Sequence, residues 1–221
     1  MRAQFSFLYF VLFLLALSSL AVLVQFGVVT LTFHKLGLSA GSAFLLLFTS
    51  LLGSFVNFPL FRLQVESPGI EVESFLLGHL RLAPAMRRGS TVIAVNLGGC
   101  IIPVLFSLYL LFRAGPGIVP VLSGVAFVTA VSYLSSRPVA GVGIGIPILV
   151  APLAAAVISI LAGGEERAAL AYISGTLGVL FGADLLRLRD VRKFESTVAS
   201  IGGAGTFDGI FLTGFVAVLL T

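Results

Sequence analysis

The stretch Leu177-Gly-Val-Leu-Phe-Gly-Ala-Asp184-Leu-Leu186 places an acidic residue inside a hydrophobic segment. The stretch Gly202-Gly-Ala-Gly-Thr-Phe-Asp208-Gly-Ile-Phe-Leu-Thr-Gly214 does the same one hydrophobic segment later. An ionisable side chain is costly inside a membrane, so a residue of this kind indicates a functional site. Two acids on consecutive hydrophobic segments indicate a shared proton or a shared cation, and these two stretches therefore predict a membrane fold together with its candidate site.

The composition agrees with a membrane protein. Of the 221 residues, 58% are hydrophobic and 10% are charged, whereas a soluble domain carries about 25% charged residues. We therefore predict one transmembrane helical domain over residues 1–221, with the lipid bilayer as its surroundings. The net charge of +4 comes from basic residues between apolar runs and does not indicate nucleic-acid binding. The single Cys100 excludes a disulfide framework and a thiolate metal site.

Seven apolar stretches are long enough to cross a membrane, which takes about 20 residues. The first continues to Phe33, too far for the core of a signal peptide, and is interpreted as a retained helix. The fold class is accordingly all-α, with about seven transmembrane helices, predicted at residues 5–33, 38–60, 91–113, 117–136, 139–163, 168–187 and 201–221.

The basic residues set the orientation, because lysine and arginine concentrate on the cytoplasmic side. With the N-terminus inside and the C-terminus outside, 10 of the 13 fall on the cytoplasmic side. We therefore predict a multi-pass protein of a cell membrane. The one long connection, residues 61–90, becomes a cytoplasmic insert. Its alternating pattern around Pro68-Gly69 predicts a small β-hairpin.

In this arrangement both acids lie roughly 5–10 Å inside the cytoplasmic boundary, at a rise of 1.5 Å per helical residue. Antiparallel helices joined by a short connection are usually neighbours, so Asp184 and Asp208 are predicted to face each other. Two carboxyl groups in close contact share one proton, as in the dyad of an aspartic protease. The alternative is structural: Asp184 would pair with Arg187 or Arg189, and Asp208 would cap the last helix.

Glycines and one asparagine give the remaining candidates. Residues 202–205 are predicted to form an unwound entry into the last span, which is tolerated only where it faces protein or water. Gly203 and Gly205 would let an extended substrate backbone approach closely. Asn96, in Val95-Asn-Leu-Gly-Gly-Cys-Ile-Ile-Pro103, predicts a broken helix of the kind that binds substrates or ions in transporters. A packing kink is the alternative for Asn96, and close helix packing is the alternative for the other glycines.

The stretches 95–103, 174–184 and 202–214 resemble an uncharacterised bacterial and archaeal membrane family whose domain has no known function. The last two also resemble presenilin and signal peptide peptidase, which carry one catalytic aspartate on the sixth helix and another in Gly-x-Gly-Asp on the seventh. This resemblance implies a dyad of Asp184 and Asp208, with Gly203 and Gly205 shaping the substrate side. The sequence departs from that pattern where Thr206-Phe207 precede the acid, and it has no later Pro-Ala-Leu motif.

The leading hypothesis is therefore an intramembrane aspartyl protease that cleaves transmembrane peptides near the cytoplasmic face, without a metal or an organic cofactor. A proton- or cation-coupled transporter is the alternative, with Asn96 and the glycine segments lining its path. A non-catalytic membrane scaffold is the third possibility. The sequence leaves the substrate and the oligomeric state open.

Overall fold

The computed structural model of the protein describes residues 15, 18, 26–67, 87–139, 143–190, 198–203 and 209–221. The chain divides into two compact units, residues 1–46 and 47–221. In the first unit, α1 (Phe26–Lys35) leads into the first half of α2 (Ala40–Gly53), and the chain bends by 106° between these helices. Most of the predicted span 5–33 lies outside the described residues.

The second unit is mostly helical, as predicted. Its helices are α3 (Ile102–Arg113), α4 (Ile118–Ser135), α5 (Val150–Ala162), α6 (Arg167–Val179) and α7 (Gly209–Leu220). A 3-10 turn, Gly164–Glu166, joins α5 to α6, and a π-helical segment, Leu180–Leu185, prolongs α6. Helix α6 is the central element, because α3, α4, α5 and α7 all pack against it.

Glycines bring α6 close to two of its neighbours. A methyl group placed on Gly178 would lie 2.5 Å from Cβ of Val128 in α4, and one on Gly182 would lie 2.8 Å from Cβ of Ser132. On another side, Gly175 lies opposite Thr213 of α7. Small residues permit such contacts between membrane helices, and the structure confirms close packing for these three glycines.

Two helices in the described part of the chain are long and apolar enough to cross a membrane, namely α4 and the continuous helix Gly164–Leu185. The bent pair of α1 and α2 makes a third if it counts as one span. Helices Leu97–Arg113, Val150–Ala162 and Gly209–Leu220 are apolar but shorter. These helices support a membrane protein, and two of them coincide with the predicted spans 117–136 and 168–187.

A three-stranded sheet corrects the expectation that the spans would be helical throughout. Its order is β1 (Asn57–Ser67), β2 (Arg87–Asn96) and β5 (Val198–Ile201), with β1 antiparallel and β5 parallel to β2. The predicted spans 38–60 and 91–113 therefore each contain part of a strand, and the predicted span 201–221 starts at the last residue of β5. Pro59 disfavours helix at the residue before it, and Thr91-Val-Ile-Ala-Val95 is rich in the β-branched residues that favour strands.

A second, two-stranded sheet shortens the predicted span 139–163. Strands β3 (Arg137–Val139) and β4 (Gly143–Gly145) pair before α5 begins at Val150. Glycine and proline are the weakest helix formers, and both are frequent between residues 138 and 147.

The insert also differs from the predicted hairpin. Leu63 pairs with Thr91 and Ser67 pairs with Arg87, so in the described residues the partner of β1 is β2. The predicted turn at Pro68-Gly69 lies outside the described residues. The sequence does not predict β2 as the partner of β1, because residues 91–96 are apolar enough to be interpreted as part of a membrane helix.

Candidate functional site

A buried cluster joins the three stretches singled out in the sequence. It contains Ala183 beside Asp184, Ile201 beside Gly202, and Ile210 two residues after Asp208. It also contains Ile93 of β2 and Cys100 of the π-helical turn Leu97–Ile101. The chain segments that carry both acids therefore meet in one core.

Asp184 lies in the π-helical segment Leu180–Leu185, at the end of the long central helix. Its side chain is half-buried, between the buried Ala183 and the exposed Leu186. A π-helical segment widens one turn of a helix and is frequent at functional sites. Here it places an acidic group at the rim of the core and not in its centre.

The turn after β5 is not helical, as predicted for residues 202–205. Gly202 and Gly203 have φ values of +83° and +86°, and α7 is described from Gly209 onward. These values lie in the left-handed region that a residue with a side chain rarely adopts. The unwound entry is therefore confirmed at Gly202 and Gly203, while residues 204–208 lie outside the described residues.

Four glycines hold this turn against the rest of the second unit. We call Gly53, Gly98, Gly99 and Gly202 the glycine junction. A methyl group on Gly98 would collide with the backbone of α2 at Ser50, and one on Gly99 would collide with the carbonyl oxygen of Gly202. The Ser50 hydroxyl donates a hydrogen bond to the Gly98 carbonyl. The sequence does not predict this junction, because it does not show which glycines contact each other.

The side chain of Asn96 is fully buried and its polar atoms bind the protein itself. The Nδ2 group donates to the Ser54 carbonyl at 2.6 Å and to Oδ1 of Asn57 at 3.1 Å. Oδ1 accepts from the Gly99 N–H at 2.7 Å, which caps the π-helical turn. Ser200 also donates to Asn57, at 2.6 Å. The predicted broken helix is wrong, because Asn96 ends strand β2 and caps the π-helical turn that follows it. The geometry gives Asn96 a structural role, and its role in substrate binding remains a prediction.

Replacing Asn96 by aspartate is expected to destabilise the protein by about 1–3 kcal/mol, the cost of leaving buried hydrogen-bonding groups unsatisfied. The carboxylate offers only acceptors to Ser54 and Asn57, which are acceptors themselves. Thermal unfolding of the purified protein in detergent measures the effect. Gln64→Ala, at an exposed position of β1, serves as the control. An unchanged melting temperature for Asn96→Asp would contradict the structural role.

Arg187 fixes the end of the central helix to α4. Nη2 donates to the carbonyl oxygens of Tyr133 at 2.7 Å and Ser136 at 3.0 Å, and Nε donates to the Ser136 hydroxyl at 3.1 Å. The guanidinium also lies 4.3 Å from the centre of the Tyr133 ring. Nη1 forms an ion pair with Asp190 at 3.2 Å. A cation at the carbonyl end of a helix is favourable, so this arrangement, missed from the sequence, anchors the segment that carries Asp184.

Replacing Arg187 by lysine is expected to lower stability by about 1–3 kcal/mol, since lysine keeps the charge but cannot reproduce the planar set of donors. The melting temperature of the lysine variant, compared with that of Arg189→Lys, measures this. Arg189 is an exposed neighbour whose change is expected to have little effect. Equal melting temperatures for the two variants would show that the contacts to Tyr133 and Ser136 contribute nothing.

The structure describes only some of the predicted site residues. Asp184, Gly203 and Asn96 are described, whereas Asp208 and Gly205 lie outside the described residues. Within the described ranges no group of three or more His, Cys, Asp or Glu side chains could hold a metal ion. In the described residues, Asp184, the glycine turn at Gly202 and Gly203, and the π-helical turn capped by Asn96 lie around one buried cluster.

The chain belongs to the family DUF1614, described as a protein of unknown function, whose model matches residues 51–220. The match includes the glycine junction and both acids. No curated protein matches the chain, and neither does any solved structure. The predicted membership of an uncharacterised family is confirmed, and the family supplies no activity.

Proposed function

We propose that the protein is an intramembrane aspartyl protease in which Asp184 and Asp208 form the catalytic dyad. The proposal has the N-terminus in the cytoplasm and the C-terminus outside, as the basic residues predict. Its substrates are transmembrane peptides, cut near the cytoplasmic face of a prokaryotic cell membrane. Its resemblance to presenilin and signal peptide peptidase supports the same pair of acids.

The observation that carries the proposal is the shared core. Ala183 adjoins one acid and Ile210 lies two residues beyond the other, and both belong to one buried cluster. Two carboxyl groups that share a proton or a water must lie within hydrogen-bond reach of it. Chain segments that diverged at this point would have excluded a dyad.

The packing of α6 against α7 supports the same pairing. Gly175 lies opposite Thr213, and a methyl group on Gly209 would lie 3.9 Å from Cγ1 of Val179. The proposal continues this antiparallel register by one residue, so that position 208 is level with Leu180. Asp184 is four residues farther along, about 6 Å at 1.5 Å per residue, which two aspartate side chains can bridge.

In the proposed reaction one carboxylate removes a proton from a water molecule, whose oxygen attacks the peptide carbonyl carbon. The other carboxyl group gives its proton to the carbonyl oxygen, and a tetrahedral diol forms. The diol then returns a proton to the dyad, the peptide nitrogen takes one, and the C–N bond breaks. In this second step the acid that gave its proton takes one from the diol, and the other acid protonates the nitrogen. Water is the only co-reactant, and each turnover returns both acids to their starting protonation states.

The glycine turn supports an extended substrate beside the acids. Gly202 is buried against Gly99 and Cys100. Gly203, the next residue, is partly exposed and has no side chain to block the approach of a backbone. In the proposal Gly203 and Gly205 line the substrate side. Asn96 stabilises the opposite side of the glycine junction, because its side chain is hydrogen-bonded to Ser54, Asn57 and Gly99.

Proteolysis is tested by reconstituting the purified protein into vesicles with a panel of synthetic single-span peptides. Mass spectrometry of the products gives both the rate and the cut position. We expect cuts clustered near the cytoplasmic end of the peptides, and inhibition by a hydroxyl-bearing isostere of the tetrahedral diol. Intact peptides, together with no binding of the isostere, would overturn the proposal, and uptake of protons into the vesicles would then favour the coupled transporter.

A further inference from the structure

Strand β1 exposes large apolar side chains along its first half. Phe58, Leu60 and Phe61 have 47%, 57% and 46% of their surface exposed, whereas Ile93 of the neighbouring β2 is fully buried. Antiparallel sheets that face water normally present polar residues on the outer side. The outer strand of this sheet therefore faces surroundings that are not plain water.

This apolar surface continues from the membrane helix that precedes the strand. Phe48, Leu51 and Leu52 in the second half of α2 are exposed, as are Phe55 and Val56 in the connection to β1. Helix α2 has 14 residues, about 21 Å at 1.5 Å per residue, less than the roughly 30 Å of a bilayer's hydrocarbon core. The apolar surface thus extends beyond the helix and onto the strand.

The backbone of β1 limits how deep the strand can lie. In the described part of the chain, β2 is the one strand that pairs with β1, so no described strand covers the other edge of β1. Open sheet edges facing lipid do not occur in the hydrocarbon region, because their N–H and C=O groups have no partner there. Pro59 lacks one such N–H, as is common in edge strands.

The charge pattern fixes which end meets the headgroups. Arg62 directly follows the exposed Phe61 and is itself exposed. Aromatic residues favour the membrane–water boundary, and a basic residue beside them is attracted to anionic lipids. The order along the strand, apolar and then basic, matches the passage from acyl chains to phosphates.

We infer that residues 55–62 form an interfacial strand that docks on the boundary between headgroups and acyl chains of an anionic leaflet. Phe58, Leu60 and Phe61 lie at the acyl side of this boundary, and Arg62 lies among the phosphates. The open edge of β1 is hydrated at this depth. The inference does not depend on proteolysis, because it rests on exposure, on sheet pairing and on the charge of Arg62.

The inference also places the candidate site. Strands β1, β2 and β5 form one sheet, and neighbouring strands lie about 4.8 Å apart. The end of β5 and the turn at Gly202 and Gly203 are therefore held about 10 Å from the docked strand. A substrate that reaches this turn meets it at the membrane boundary.

The test uses the absence of tryptophan from the chain, which makes each introduced tryptophan the sole reporter. Phe58→Trp and Phe61→Trp are compared with Phe127→Trp, at an exposed position midway along α4. Each protein is reconstituted into vesicles with phosphatidylcholine brominated either near the headgroup or near the end of the acyl chain. We expect the two strand reporters to be quenched more by the shallow bromine and the α4 reporter more by the deep one.

Three results would overturn the inference. Stronger quenching of Phe58→Trp by the deep bromine would place the strand in the hydrocarbon core. Quenching by aqueous iodide but by neither bromine would place it in water. Protection from all three quenchers, with a dimer captured by cross-linking through β1, would show that a second copy covers the strand.

The role of the anionic lipid is tested separately with brominated phosphatidylglycerol. One basic residue near a negative surface contributes about 1 kcal/mol, so we expect about fivefold enrichment of phosphatidylglycerol over phosphatidylcholine beside Phe58→Trp. Arg62→Gln is expected to abolish this enrichment while the shallow quenching remains. Equal quenching by the two lipids before the Arg62 change would overturn the assignment of Arg62 to the phosphates.

Discussion

Replacing Asp208 by asparagine is expected to abolish peptide cleavage by the reconstituted protein, and replacing Asp184 by asparagine is expected to do the same. An amide cannot take a proton from water or give one to the carbonyl oxygen. General acid–base catalysis contributes about 10²–10⁴-fold to a rate, so each variant should fall by at least that range. The initial rate of product formation from a transmembrane peptide measures the loss.

Asp190→Asn is the matched control for these variants. It is the same chemical change, six residues after Asp184, at a position bound to Arg187 and not assigned to the dyad. The double variant of Asp184 and Asp208 should be no slower than either single variant, because residues that act as one unit are not additive. A single asparagine variant that folds and cleaves at the normal rate would remove that aspartate from the dyad.

Replacing Gly98 by alanine is expected to have the largest effect on stability. The added methyl group would meet the backbone of α2 at Ser50, Gly53 and Ser54, and backbone atoms cannot rotate aside as a side chain can. Overpacking in a core costs about 1–3 kcal/mol, so a loss of about 3 kcal/mol or more is expected here. At roughly 2–4 °C per kcal/mol, the melting temperature should fall by about 6–12 °C.

Gly41→Ala is the control for this substitution. It lies in α2, and a methyl group there would meet only the Ser39 hydroxyl, at 4.0 Å. Alanine is a better helix former than glycine, so the control should be neutral or slightly stabilised. A Gly98→Ala protein that melts with the control would show that Gly98 and the α2 backbone are not in close contact.

The sequence predicts the two longest helices of the described chain well. Helix α4 and the central helix ending at Leu185 match the predicted spans closely, because each is a long apolar run whose charged residues, where it has any, lie near its ends. The unwound start of the last span was also predicted, since Gly202 and Gly203 stand together before an acid. Local composition was sufficient in these places.

The strands were missed because hydrophobicity alone does not distinguish a buried strand from a membrane helix. Residues 91–96 are nearly all apolar or β-branched, and they continue without a break into the apolar α3. Only pairing with β1 on one side and β5 on the other shows that they form a strand. Such pairing joins residues far apart in the chain, and the β-branched residues of this stretch do not by themselves exclude a helix.

The sequence predicts the two acids of the candidate site but not the contacts that hold the surrounding segments in place. Asp184 and Asp208 stood out because charge is rare in apolar segments. The contact of Gly99 with Gly202, and the hydrogen bonds of Asn57 to Asn96 and Ser200, depend on the assembled sheet. The amide of Asn96 can bind polar groups, which is why the sequence predicts a ligand-binding residue. The same property makes Asn96 a good cap, because its amide binds backbone groups at the start of a helix.

The central claim is that Asp184 and Asp208 converge, and thiol cross-linking tests it most directly. The buried Cys100, the one cysteine in the chain, is replaced by alanine, and cysteines are introduced at 184 and 208. Carboxyl groups that share a proton or a water lie about 3–6 Å apart, so a short bifunctional thiol reagent should join the two positions. Fragment mass spectrometry of the folded, reconstituted protein is expected to show the 184–208 link in high yield, and a 190–208 pair should give little. A yield for 184–208 no higher than that of the control pair would contradict the dyad.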